Sequence, residues 1–339
     1  MGVLVLGMHR SGTSALAGAL QSMGFEVGPE DDVMPADDQN PEGYFELSSI
    51  VRANDDLLAH FGGSWDSPPA FAPEWANDDA ATQFIDAARS MIGELFESDH
   101  FVLKDPRISI LLPVWRQITK DQGCAVVIVR DPLEVAASLT RRDGLSTLTG
   151  LALWAAYNRA MLRDLHGARV HVCSYVDLVE SPVKVLTDIA KSLHDWGELS
   201  DDADLSGAFA TIHPELRRNT ILNADLETEV SPVEVTQLMK LVLDQRGRHN
   251  VFDVGTVLEP GWWDGPLLEE RRVLLQWARG TIAELQTLNA NLLTENAILW
   301  EKSDSANREA DRLRDRIDRV RRLVPEPLYQ LVTKIARRS

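Results

Sequence analysis

The chain has 339 residues, 44% of them hydrophobic, and a formal net charge of −18. This length suits one α/β domain of ordinary size plus an extension, and the composition requires a packed core. The acidity argues against broad nucleic-acid binding, so no nucleic-acid partner is expected.

The opening stretch "GVLVLGMHRSGTSALAGAL" reads as a buried strand over residues 3–7, a tight loop, and a helix over 12–23. Leu16, Leu20 and Met23 share one face of that helix, and Gly24 is its stop. Residues 28–78 are rich in Pro, Asp, Gly and aromatics and show few clear elements. A helix follows at about 80–97, with Phe84, Ala88, Met91 and Leu95 at helical spacing. "FVLKDPR" and "AVVIVRDP" are short β-rich strands that each enter a helix, and "ARVHVCSY" is a fourth strand. Residues 204–245 look helical and irregular. The alternation implies an α/β fold: a P-loop-type parallel sheet with helices on both faces, followed by a long C-terminal coiled-coil helix.

The coiled coil is read from an unbroken 3,4 series that runs Leu275, Ala278, Ile282, Leu285, Asn289, Leu292, Asn296, Leu299 and on to Val324. Leu at most d positions and Asn at two successive a positions favour a parallel homodimer, the alternative being a long helix folded back on the domain. Pro325 and Pro327 end the series. In "PLYQLVTKIARRS", Leu328, Leu331, Val332 and Ile335 share a face beside a basic end. That tail suits peripheral contact with an anionic membrane or packing on a partner helix. The expected domains are 1–260, 267–324 and 325–339. No apolar run is long enough to span a bilayer, and "MGVLVLGMHR" leaves no room for a signal peptide. The expected location is therefore cytoplasmic, with the tail able to reach the inner membrane face. Cys124 and Cys173 sit in apolar strands and read as buried thiols in a reducing compartment. Neither they nor the eight histidines have metal-ligand spacing, and no metal is expected.

"GMHRSGTS", Gly7 to Ser14, has the spacing of a phosphate-cradling loop, with Thr13 in the usual lysine slot. A strand entering a Gly-rich turn and then a helix aims backbone N–H groups at one point. Gly7 and Gly12 allow close approach, Ser11, Thr13 and Ser14 add hydroxyls, and Arg10 offers a guanidinium. "VLKDPR" and "VIVRDP" echo each other: a strand ends in Lys104 or Arg130, then Asp105 or Asp131 caps a helix begun by Pro. Ligands bind at the carboxyl edge of such a sheet, so Arg10, Lys104 and Arg130 are expected to converge on the loop.

These stretches resemble the P-loop sulfotransferases. "GMHRSGTSALAGAL" is similar to their 5′-phosphosulfate loop, and "VVIVRDPLEVAASL" to their 3′-phosphate motif, which places Arg130 and Ser138. "SYVDLVESPVKVLTDIAKSL" is similar to a later segment whose tyrosine, here Tyr175, lies near the adenine. The likeness covers roughly residues 1–222 and is nearest to bacterial carbohydrate-type members, which have counterparts of "NPEGYFE" and "LKDPR". It implies 3′-phosphoadenosine-5′-phosphosulfate (PAPS) as sulfuryl donor without a metal. The expected donor-binding residues are His9, Arg10, Ser11, Gly12, Thr13, Ser14, Arg130, Ser138 and Tyr175. Arg217 and Arg218, in "HPELRRN", are candidates for the 3′-phosphate. The acceptor it implies is a hydroxyl on a carbohydrate or glycolipid.

Arg10 and Lys104 are the candidate charge stabilisers. The cytosolic branch carries a base histidine two residues after the lysine, where this chain has Pro106. Glu46 is the first candidate base, Glu42 the second and Asp105 the third, and Arg107 is placed to support the site. Two other readings stand beside this one. A P-loop kinase or NTPase would use "AVVIVRD" as a Walker B strand, against which stand the absent lysine and Pro132. A non-catalytic dimeric scaffold would keep the fold and lose the chemistry.

Overall fold

The computed structural model describes residues 2–37, 40–41, 43–72, 74–119, 123–200, 203–213, 233–255 and 264–300, with six further positions between 314 and 322. Two compact units divide the chain, Met1–Glu269 and Glu270–Ser339.

The described residues of the first unit form five strands: β1 Val3–Leu6, β2 Val102–Lys104, β3 Cys124–Val129, β4 Arg169–Ser174 and β5 Gly247–His249. Their order is β2-β1-β3-β4-β5; the first four are parallel and β5 runs antiparallel to β4. The expected parallel sheet with helices on both faces is therefore present, with one antiparallel edge strand added. That strand, "GRH", has no apolar run to betray it.

Side chains alternate across the sheet and feed two cores. Leu4, Leu6, Val127, Val129 and Val172 face one core, together with α2 (Ser48–His60), α3 (Asp79–Leu95), α4 (Leu112–Ile118), α5 (Pro132–Asp143), α6 (Thr147–Asp164) and α10 (Val233–Asp244). Val3, Val5, Cys124, Val126, Ile128 and Cys173 face the other, with α1 (Thr13–Ser22), α7 (Tyr175–Glu180), α8 (Pro182–Asp195) and α9 (Leu205–Ala210). Strands covered on both faces are apolar at nearly every position, as β3 "CAVVIV" shows. Both cysteines are free and buried, and burial pushes each thiol up to about 12.

Residues 28–78, expected to hold few elements, contain the three-and-a-half-turn helix α2. Its apolar stripe is thin: Ile50, Leu57 and Leu58 are buried, and the fourth inward position is the polar Asn54. The aromatics of this segment are mostly core: Phe71 stacks on Trp75 at 4.0 Å, and Phe61 meets both edge-on at 5.6 and 5.3 Å. The expected helix near 80–97 is α3, capped by the Asp78 carboxylate.

The second unit contains most of α11, Asp264–Trp300. The heptad positions Leu275 to Leu299 fall within this helix, whereas the series from Ser303 to Ala310 and the tail 325–339 lie outside the described residues. No described helix is long and apolar enough to cross a membrane.

Asn54 joins α2 to the sheet edge. Its Nδ2 donates to Asp105 Oδ2 at 2.8 Å and its Oδ1 accepts from Trp115 Nε1 at 3.0 Å, all buried. Asn54→Leu strands both partners, at about 1–3 kcal/mol each. Urea unfolding of this variant is expected to show a loss of at least about 2 kcal/mol; an unchanged midpoint would contradict the bridge.

Candidate functional site

The loop between β1 and α1 is shaped by its backbone. Gly7, Arg10 and Gly12 all have positive φ, at 154°, 70° and 96°. At Gly12 a side chain is excluded twice over, because a Cβ would lie 2.3 Å from the Tyr175 ring. The Gly7 N–H donates to Ser109 Oγ at 3.0 Å, which ties the loop to the turn after β2. Ser11 N–H donates to the Met8 carbonyl at 3.1 Å and closes the bend.

This loop floors a cavity of about 350 Å³ at the carboxyl edge of the sheet. His9, Arg10, Gly12, Thr13, Ser14, Glu46, Lys104, Arg130, Ser138 and Tyr175 all line it, so residues from five separate stretches of sequence meet there. Ser11, expected among the ligand-facing hydroxyls, is 1% exposed and is not among the residues that line it. Arg217, Arg218 and Glu42 lie outside the described residues.

Three cations converge as expected, each held by identifiable partners. Arg10 Nε donates to Ser138 Oγ at 2.9 Å, which joins the loop to α5; the sequence motif couples Ser138 with Arg130 instead. Burial lowers the Arg10 guanidinium, and the nearby Arg142 adds to the effect. Arg130 NH1 donates to the Arg10 carbonyl at 3.2 Å, and its guanidinium lies 4.4 Å above the Tyr175 ring. Lys104 Nζ donates to the Tyr44 carbonyl at 3.0 Å, to Ser14 Oγ at 3.3 Å and to Glu46 Oε1.

Glu46 and Lys104 are a buried ion pair, their side chains 8% and 3% exposed. Burial raises the Glu46 carboxyl above its ordinary range; Lys104 and Arg107 pull it down but do not offset the lost solvation. Arg107 stands 4.0 Å from Glu46 Oε2 and is itself clamped by Asp55 at 2.7 Å and Asp105 at 3.0 Å, which hold its guanidinium charged. Asp105, the third candidate base, is set aside. It is fully buried, its Oδ1 accepts from the Arg107 backbone and side chain, its Oδ2 accepts from Asn54, and it does not line the cavity.

Three contributors escaped the sequence reading. Glu134, fully buried, accepts from Arg130 Nε at 2.7 Å; its signal was the i,i+4 spacing from Arg130. Asn40 donates from Nδ2 to Ser14 Oγ at 3.1 Å and lines the cavity, with only an Asn-Pro turn to mark it. Arg142, in the last turn of α5, lines it as well and lies 5.0 Å over the Trp65 ring. Asp131 is occupied as expected, accepting from the Leu133 and Glu134 N–H groups as the α5 cap.

No family model and no curated protein matches this chain. Among solved structures it is similar to the sulfotransferase domain of the Synechococcus PCC 7002 olefin synthase, at 23% identity and a TM-score of 0.42, covering 71% of this chain and 94% of that one. A second is the sulfotransferase domain from the curacin biosynthetic pathway, at 15% identity and a TM-score of 0.36, covering 79% and 96%. Both of these chains are sulfotransferase domains.

His9 gives this site a pH signature. Its ring is buried against Trp65 at 4.6 Å, and desolvation, helped by Arg107, Arg142, Lys104 and Arg10, holds the imidazole well below its ordinary range. His171 is lowered in the same sense, to about 4, mainly by burial. Below about pH 6.5 the unfolded chain takes up protons that these folded-state rings refuse, so stability falls as pH drops, by up to about 1.4 kcal/mol per pH unit per ring. Unfolding free energy measured between pH 7.5 and 5 is expected to fall less steeply in His9→Gln than in the parent, by about one proton. Equal slopes would show that His9 titrates normally.

Proposed function

We propose that the protein is a sulfotransferase that moves a sulfuryl group from PAPS to an acceptor hydroxyl on a carbohydrate or glycolipid. The observation that carries this reading is the convergence of Arg10, Lys104 and Arg130 with Ser14 and Ser138 on a lysine-less phosphate loop, beside one buried carboxylate. A donor with two anionic ends needs two anion sites. The loop N–H groups, Arg10, Lys104 and Ser14 suit the 5′-phosphosulfate, and Arg130 with Ser138 suits the 3′-phosphate. The Tyr175 ring, packed on Gly12 and under Arg130, suits the adenine in this reading.

In this reading the acceptor oxygen forms a new bond to sulfur as the bond from sulfur to the bridging phosphate oxygen breaks. The hydroxyl proton passes to Glu46, and charge grows on the leaving phosphate. Lys104, Arg10 and the loop N–H groups stabilise that charge, and the fixed geometry supplies positioning. Tyr44 and Phe45, which line the same cavity, offer faces to an acceptor. A homodimer formed through the heptads of α11, and peripheral membrane contact by residues 325–339, belong to the same proposal and await sedimentation and vesicle-binding measurements.

Calorimetric titration with adenosine 3′,5′-bisphosphate, with and without Mg²⁺ and beside ATP, tests the donor site. Binding that ignores Mg²⁺ and is lost in Arg130→Ala is expected; a preference for Mg-ATP would replace this reading with the kinase one.

Glu46→Gln tests the base. Turnover, read as bisphosphate release with an acceptor found by screening, is expected to fall about 10²- to 10⁴-fold. The carboxylate is the active form, so in the parent activity is lost as pH falls through the raised Glu46 value. That acid limb lies above the usual carboxylate range and disappears in the variant. A parent profile flat down to pH 4 would exclude Glu46 as the base.

A further inference from the structure

The cavity lining carries more cationic side chains than the donor uses. Among the described residues its lining has five cationic side chains, Arg10, Lys104, Arg130, Arg141 and Arg142, against the single carboxylate Glu46. This concentration sits in a chain of net charge −18. The proposed donor has two anionic ends, and Arg10, Lys104 and Arg130 serve both.

Arg142 belongs to a separate wall. Its guanidinium lies 5.0 Å over the Trp65 ring and its Nε is tied to Asp143 Oδ2 at 2.7 Å. Trp65 is fixed in turn, because its carbonyl accepts from the buried Tyr157 hydroxyl at 2.8 Å. A guanidinium laid on an aromatic face and held at one nitrogen is an immobilised cation with its other two nitrogens left to meet a carboxylate or phosphate. The other face of this corner is His9. It lines the cavity, is 7% exposed, and its Nε2 has no hydrogen-bond partner. A buried polar atom without a protein partner inside a native site calls for a bound water or a ligand group. Burial, helped by the surrounding cations, keeps the ring neutral, so it can both accept and donate one hydrogen bond.

We propose that His9, Trp65 and Arg142 form the acceptor subsite, and that it selects a hydroxyl compound carrying an anionic group, with His9 Nε2 bonded to the acceptor and Arg142 holding its charge. This inference rests on the sulfotransferase reading. A carboxylate and a phosphate share the chemistry that Arg142 recognises, so both are probed.

The test is calorimetry on the full chain saturated with adenosine 3′,5′-bisphosphate. The titrants are methyl β-D-glucuronide, glucose 6-phosphate and the neutral methyl β-D-glucoside. At least one anionic sugar is expected to bind at least about tenfold more tightly than the neutral one. Arg142→Gln is expected to erase that preference and Arg142→Lys to keep part of it, with bisphosphate affinity changed less than about twofold in both. His9→Asn is expected to weaken every sugar that binds. Which anionic sugar wins tells carboxylate from phosphate. Bisphosphate binding with no sugar binding, or with equal binding of charged and neutral sugars, overturns the inference and leaves the sulfotransferase reading standing. So does an Arg142→Gln variant that loses bisphosphate and sugar in equal measure, since Arg142 would then belong to the donor site. Failure to bind the bisphosphate at all overturns the sulfotransferase reading, and this inference falls with it.

Discussion

A carboxylate and an ammonium share a nearly dry position where β2 ends, and the rest of the site is arranged around them. Neither Glu46 nor Lys104 would be tolerated there alone, because an unpaired buried charge costs several kcal/mol, on the order of 3–5. The pair therefore obliges the chain near residue 46 to lie against the sheet edge. Lys104 extends the obligation by binding the Tyr44 carbonyl and Ser14 as well, so one side chain spans the strand end, the phosphate loop and the segment that brings the acid. Asn40 closes the same circuit from the other side through Ser14.

The same device recurs around the cavity. Arg107 is backed by Asp55 and Asp105, Arg130 by Glu134, and Arg142 by Asp143. A carboxylate behind each cation fixes the direction of its remaining N–H groups at the expense of net charge. An acidic chain can thus build a pocket for anions without a broad positive surface. The selectivity that results comes from where the donors point more than from long-range attraction.

The parts legible in the sequence were those written in contiguous residues. The loop glycines, the strands ending in Lys104 and Arg130, and the Asp-Pro caps each occupy a few neighbouring positions, and the structure assembles them at one edge because a parallel sheet delivers its carboxyl ends there. Helix α2 was hidden because one of its inward positions, Asn54, is polar and finds its reason only in Asp105 and Trp115, more than fifty residues away. Strand β5 was hidden because an edge strand of three residues needs no hydrophobic pattern. Arg142 reads in the sequence as a helix-terminal cation, and only the fold sets Trp65 beneath it. Glu46 was named from a likeness of motif; its burial and its pairing with Lys104 are visible only in three dimensions.

The two cysteines carry a practical consequence. Both lie within the sheet, one on β3 and one on β4, with thiols that burial holds almost wholly protonated at neutral pH. The thiolate is the species that reacts with maleimides and iodoacetamides, so the folded chain is close to inert toward them. A single cysteine introduced on an exposed surface would therefore take up a fluorophore or spin label alone, in the otherwise native sequence. Reaction at the native pair, conversely, would report the opening of the sheet itself.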